Sequence, residues 1–171
     1  MALIKAVNGK EPQFGSDCYI AENATIVGDV VMGDQCSIWF NAVVRGDVNS
    51  IVMGNQVNIQ DGAVIHCTYQ KTKTIIGNKV SIGHNAIVHG CTIHDHVLVG
   101  MGAIVMDNCV IHSNSIIAAG AVLLENTIVE EGFIYAGVPA KKVKPVPPHL
   151  IEGEISRIAD NYVMYSGWFK E

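Results

Sequence analysis

Charge is thin in this chain. Only 16% of residues are Asp, Glu, Lys or Arg. The 11 Lys and Arg form no basic stripe, so nucleic acid is not expected as a partner. Long apolar runs are missing too. Gly, Asn or Asp interrupts them well short of the ~18 residues a membrane span needs, so no membrane association is expected. Met1 to Gly9 carries no long apolar stretch of the secretory kind. The 5 cysteines are odd in number and lack CxxC or zinc-knuckle spacing. They read as reduced thiols of a cytoplasmic protein. Aromatics are scarce, at 6%, and Ile and Val outnumber Leu, which disfavours a helical bundle and favours short strands with tight corners. What remains is 171 residues that are 49% hydrophobic, enough to bury one domain's core.

That apolar content is periodic. An aliphatic residue recurs every sixth position, with a small or aliphatic residue four places after it. The frame runs Ile20…Ala24, Ile26, Met32…Cys36, Ile38…Ala42, Val44…Val48. After a slip it reads Met53…Val57, Ile59…Ala63, Ile65, and after a longer one Ile76…Val80, Ile82…Ala86, Val88…Thr92. One residue is dropped, and Ile93, Val99, Val105, Ile111, Ile117, Leu123, Val129 and Tyr135 follow. A period of six is neither helical nor plain strand alternation. It predicts a parallel β-helix in which three units close a triangular coil and coils stack about 4.8 Å apart. The slips follow Val44, Ile65 and Val88, which are equivalent units, so all three fall at one corner of the prism. The segment 67–74 is then a loop bulging from that corner.

The repeat fades near Tyr135–Ala140, and Pro145, Pro147 and Pro148 mark a stiff linker. Ile151, Ile155, Ile158, Tyr162, Tyr165 and Phe169 follow at helix spacing. The expected organisation is a β-helix domain over 1–145 and, in 146–171, an amphipathic helix packing back on the prism or on a neighbouring subunit.

The frame also places the 7 histidines. His66 and His89 occupy the same outward position in adjacent coils, with Arg45 one coil earlier. Imidazoles that close can share a metal. His84 lies on the adjacent face, beside Asp61, and should not converge with the other two within one chain. If all three bind one ion, His84 comes from a neighbouring subunit, and a threefold assembly fits that arrangement. The competing reading is a polar interface network. His94 and His112 also stack one coil apart, with His96 nearby, and read as a surface ladder; His149 reads as a solvated loop residue. Cys67 follows His66 along the strand and should point away from any metal. Cys36 and Cys109 take small interior places.

The ordered set Arg45-Gly46-Asp47, Gln60-Asp61, His66, His84-x4-His89, with the tail Tyr135-Ala-Gly-Val-Pro-Ala140, resembles the γ-class carbonic anhydrases and their carbonic-anhydrase-like relatives. The resemblance implies a left-handed β-helix and a homotrimer with one metal per interface. His66 and His89 would come from one subunit and His84 from the next. It implies zinc, with iron(II) or cobalt(II) suited to the same ligands, and reversible hydration of carbon dioxide to bicarbonate by a water that the metal acidifies. Gln60 would orient that water or the substrate. Tyr162 is similar to a tyrosine that reaches the site in many relatives. Arg45, Asp47 and Asp61 resemble an interface ion-pair set that also steadies the ligands. Two departures stand out. Val48 follows Arg-Gly-Asp where the founding member has glutamate. The loop Cys67-Thr-Tyr-Gln-Lys-Thr-Lys-Thr74 lacks the founding member's proton-shuttling acid. Proton release would then fall to Tyr69, Tyr162 or bulk buffer. Hexapeptide scaffolds also serve acyltransferases and thioesterases acting on CoA thioesters, with His84 or His89 as general base. A non-catalytic assembly trimer is the third alternative.

Overall fold

Aliphatic side chains repeating every six residues can be buried together only if the chain turns a corner in each unit. In the computed structural model, which describes residues 1–170, it does so as a parallel β-helix. Strands Thr25–Met32 and Val43–Met53 run around a corner and join two faces into a 12-stranded sheet; an 8-stranded sheet forms the third face. Coils pair in register. Ile65 lies between Val44 and Val88, and Ile82 between Ile59 and Val99. The inward columns Ile26, Ile38, Val44, Ile59, Ile65, Ile82, Val88, Val99, Ile111 and Ile117 are buried, and Ala24, Ala42, Ala63, Ala86, Cys36 and Cys109 fill the corners.

The three phase slips share one corner, as the frame requires. Val44, Ile65 and Val88 align before it, and Met53, Ile76 and Ile93 align after it. One placement differs. The dropped residue shortens the corner after Val88, so buried Cys91 takes the small interior place assigned to Thr92. Thr92 instead turns outward between Ile75 and Val110. The opposite end also holds an element the periodicity does not announce. Ala140–Pro145 is a strand that folds back antiparallel on Phe133–Gly137.

The C-terminal segment is helical over 148–167. It begins as a short turn, Pro148–Leu150, passes through a π-helical stretch, Ile151–Ser156, and becomes α-helical over Arg157–Gly167. It ends three residues before Lys170, because Trp168–Lys170 peels off to dock. Phe169 packs on Tyr19, Trp39 and Phe40 with ring centroids 5.4, 5.7 and 5.9 Å away. Ile155 and Ala159 are buried against the 8-stranded face, Tyr162 meets Trp39 edge-on at 5.2 Å, and Lys79 pairs with Asp160 at 2.9 Å. Among the described residues no helix is long and apolar enough to cross a membrane. All 5 cysteines are free.

The ladders predict an asymmetry between inward and outward strand positions. At fixed protein concentration, Ile82→Ala, in a fully buried column, costs about 2–5 kcal/mol in urea denaturation. Ile75→Ala, half-exposed on the outside, stays within about 0.5 kcal/mol. Equal losses would contradict the inward and outward assignment.

Candidate metal centre

Strands Val64–His66 and Ile87–His89 pair with His66 opposite His89, so both rings leave the prism side by side. His66 Nδ1 lies 3.1 Å from His89 Nε2. The remaining nitrogen of each ring is committed to a carboxylate. His66 Nε2 donates to Asp47 Oδ1 at 3.1 Å, and His89 Nδ1 donates to Asp107 Oδ1 at 2.6 Å. A carboxylate only accepts, so those nitrogens carry the protons. In the neutral rings two lone pairs then face each other, a repulsive arrangement unless a proton or a metal cation lies between them. Zinc bound to imidazole at ~2.0–2.1 Å in tetrahedral geometry separates its ligand nitrogens by roughly 3.3 Å. The observed spacing is close to that, and the donor set fits such an ion.

At His66 burial favours the neutral, ligating form. Burial holds the His66 ring below the usual imidazole range; the Asp47 hydrogen bond opposes this and the Arg45 charge supports it. Arg45 Nη1 donates to Asp47 Oδ2 at 2.8 Å, and Nη2 lies 3.5 Å from His66 Nδ1, which completes the outward column Arg45, His66, His89. Burial pushes the Asp47 carboxyl up, but hydrogen bonds from Arg45 and His66 outweigh it and hold the group below the usual carboxylate range. Asp107 follows the same balance, with Thr68 and His89 as its principal donors.

His84 stands apart, on the turn after Ser81–Ile82, with its Nδ1 2.9 Å from Asp61 Oδ2. Each of the three histidines therefore has one nitrogen beside an aspartate, hydrogen-bonded to it in His66 and His89. Among the described residues of one chain, no three His, Cys, Asp or Glu side chains converge on a single point that holds a metal. His84 instead lines a cleft of about 470 Å³ between the 8-stranded face and the helix, together with Gln60, Met101, Ile116, Asn161 and Tyr162. Gln60 is buried, its Nε2 donating to Asn58 Oδ1 at 3.0 Å. Tyr162 has its pKa raised to about 12 by burial, with Asp61 and Tyr165 adding to the shift. Tyr69 is exposed. Cys67 points into the interior, with its Sγ donating to Asn49 O at 3.5 Å. His94 and His112 stack with centroids 5.0 Å apart and planes 13° apart; His96 sits at a left-handed corner position and His149 is exposed.

With this geometry, likeness to known proteins becomes informative. The Bacterial transferase hexapeptide (six repeats) family matches residues 11–46 and 90–125. A Methanocaldococcus jannaschii protein named "Probable carbonic anhydrase" is 53% identical over 146 residues, covering 85% of this chain and 89% of its own. Gamma carbonic anhydrase 2, mitochondrial, of Arabidopsis thaliana is 38% identical over 159 residues, covering 90% of this chain and 57% of its own. The chain belongs to the γ-class carbonic anhydrase and carbonic-anhydrase-like family. The crystal structure of a hexapeptide transferase family protein from Anaplasma phagocytophilum superposes with a TM-score of 0.93, at 40% identity over 98% of both chains. Carbonic-anhydrase-like proteins and hexapeptide transferases thus share this scaffold.

The residue that sequence reasoning missed is Asp107, the partner of His89. It lies outside the motif, but the frame contains its signal. Val105 pairs with Val88, so Asp107 stands in the column of Gly90, one place beyond His89. Gly90 has φ +52°, and a Cβ there would collide with Asp107 Oδ1 and Thr72 Oγ1.

These charge balances fix the acid response of chelator-stripped protein. The folded-state pKa of His66 lies below the ordinary imidazole value of 6.5, so the unfolded chain takes up a proton first and stability falls as pH drops below that value. The carboxyls of Asp47 and Asp107, depressed below 3.8, add stability that is full above that pH and is lost as the pH falls further. Thermal midpoints measured from about pH 8 to about pH 3 should fall in these two windows, and His66→Gln should remove the upper one. An upper window that persists unchanged in His66→Gln would contradict the assignment.

Proposed function

We propose that the protein is a metal-dependent γ-class carbonic anhydrase. In this reading it interconverts carbon dioxide and bicarbonate as a homotrimer in the cytoplasm, with His66 and His89 of one subunit and His84 of the next holding zinc or a similar divalent ion. The observation that carries the reading is the convergence of the His66 and His89 nitrogens, each backed by its own aspartate. Among the described residues of one chain no third ligand joins the pair, and His84, beside Asp61, has the matching chemistry for a donor from a neighbour.

Held by the three neutral imidazoles of His66, His89 and His84, such an ion would keep its full charge and would supply Lewis-acid activation of water, toward a pKa of ~7. The chain's own residues do the rest. Asp47 and Asp107 hold the His66 and His89 rings in their ligating tautomers, and Asp61 stands within reach of His84 to do the same. Gln60, fixed through Asn58, presents a carboxamide beside His84 to orient water or bicarbonate. Tyr162 stays protonated at neutral pH, so it serves as a hydrogen-bond donor to substrate oxygen and not as a proton carrier. The apolar wall of the cleft suits a small apolar gas. The 67–74 loop contains no carboxylate, which leaves proton release to external buffer.

The alternative, CoA-thioester chemistry, draws on the same cleft, which is largely apolar beneath the helix, with His84 as a base. It requires activity without metal.

Stopped-flow hydration with metal analysis on the same sample separates the two. The expected result is about one metal per chain, a hydration rate that rises with buffer concentration, and loss of that rate and of the metal in His89→Ala. Fully loaded protein with no rate above buffer would defeat the proposal. Thioester turnover by chelator-stripped protein would favour the alternative.

A further inference from the structure

The loop that interrupts the repeat after His66 is tied to both ligand-bearing strands. Thr74 Oγ1 donates to His66 O at 2.8 Å and accepts from Gly90 N at 3.1 Å, so one hydroxyl links the backbone of His66 to the residue after His89. Gly90 N also donates to His66 O at 3.0 Å. Thr72 folds back to accept from Thr68 N at 2.9 Å. From this closed turn two hydroxyls reach one carboxylate: Thr68 Oγ1 donates to Asp107 Oδ2 at 2.5 Å and Thr72 Oγ1 to Asp107 Oδ1 at 3.4 Å. Asp107 Oδ1 accepts from His89 Nδ1 at 2.6 Å. Thr72 and Thr74 are buried and Asp107 is largely so. Gly90 leaves room for this network, because a side chain there would occupy the space of Asp107 Oδ1 and Thr72 Oγ1.

We propose that Asp107, clamped by the hydroxyls of Thr68 and Thr72, is a positioning residue that aims His89 Nε2 at the shared ion, and that the loop over 67–73 thereby sets metal affinity. The inference rests on the reading of His66, His84 and His89 as ligands. It assigns the loop a task that needs hydroxyls and no carboxylate. A ring held by a single flexible carboxylate would wander. A carboxylate fixed from two further directions transmits the loop's rigidity to the ligand, the way outer partners raise affinity at histidine sites.

The test measures Zn2+ affinity by competition with a chromophoric chelator, and the visible spectrum of Co2+-loaded protein. Asp107→Ala should weaken Zn2+ binding about 10–100-fold, and the Thr68→Val/Thr72→Val pair about 10-fold, with a changed Co2+ band. Thr68→Ser/Thr72→Ser, which keeps both hydroxyls, should bind as the unaltered protein does. If Asp107→Ala does not fold, the Val and Ser pairs decide. Wild-type Zn2+ affinity and Co2+ spectrum in the Val pair, with binding lost in His89→Ala, would overturn the clamp and leave the metal reading standing. Unaltered protein that binds no Zn2+ would overturn both.

Discussion

Parallel, in-register pairing between coils forces residues of equal phase into columns about 4.8 Å apart. The rest of the molecule follows from that constraint. Inward columns of Ile and Val make the core. The outward column of Arg45, His66 and His89 places two imidazoles closer together than neutral, carboxylate-tied rings prefer. A shared cation would suit such a pair. The cost of holding it is met by Asp47 and Asp107, which fix both rings from their far sides.

The same columns explain why the fold was legible in the sequence and the site only in part. Six-residue phase needs nothing beyond the chain, so the faces, the shared corner of the three slips and the opposition of His66 and His89 could all be read from spacing. The misplaced Thr92 shows the limit. A corner shortened by one residue can drop either neighbour inward, and packing chose Cys91. Asp107 escaped because its significance comes from a missing side chain in the next coil, at Gly90. The hydroxyls of Thr68 and Thr72 escaped because the loop's folding back is not periodic at all. The π-helical start of the C-terminal segment, with Gly153 in its midst, likewise has no signature in the spacing of Ile151, Ile155 and Ile158.

Sharing a scaffold with hexapeptide transferases does not assign a reaction, since function lives in side chains grafted onto the fold. Here those side chains occupy two separate places: a histidine pair on one edge of the prism, and His84 with Gln60 and Tyr162 in the cleft under the helix. In the proposed reading neither place is complete alone. Each supplies what the other lacks, a pair of converging nitrogens on one side and an apolar chamber with a third imidazole on the other. Division of the site between subunits is the central claim.

Mixing two inactive variants tests that division most directly. His84→Ala retains the histidine pair, and His89→Ala retains His84. Unfolded together at equal amounts and reassembled, they should form mixed trimers in which one interface joins an intact pair to an intact His84. Roughly a quarter of the unaltered protein's sites, and of its bound zinc, should return. A mixture as empty of metal as its two parents would contradict the shared site.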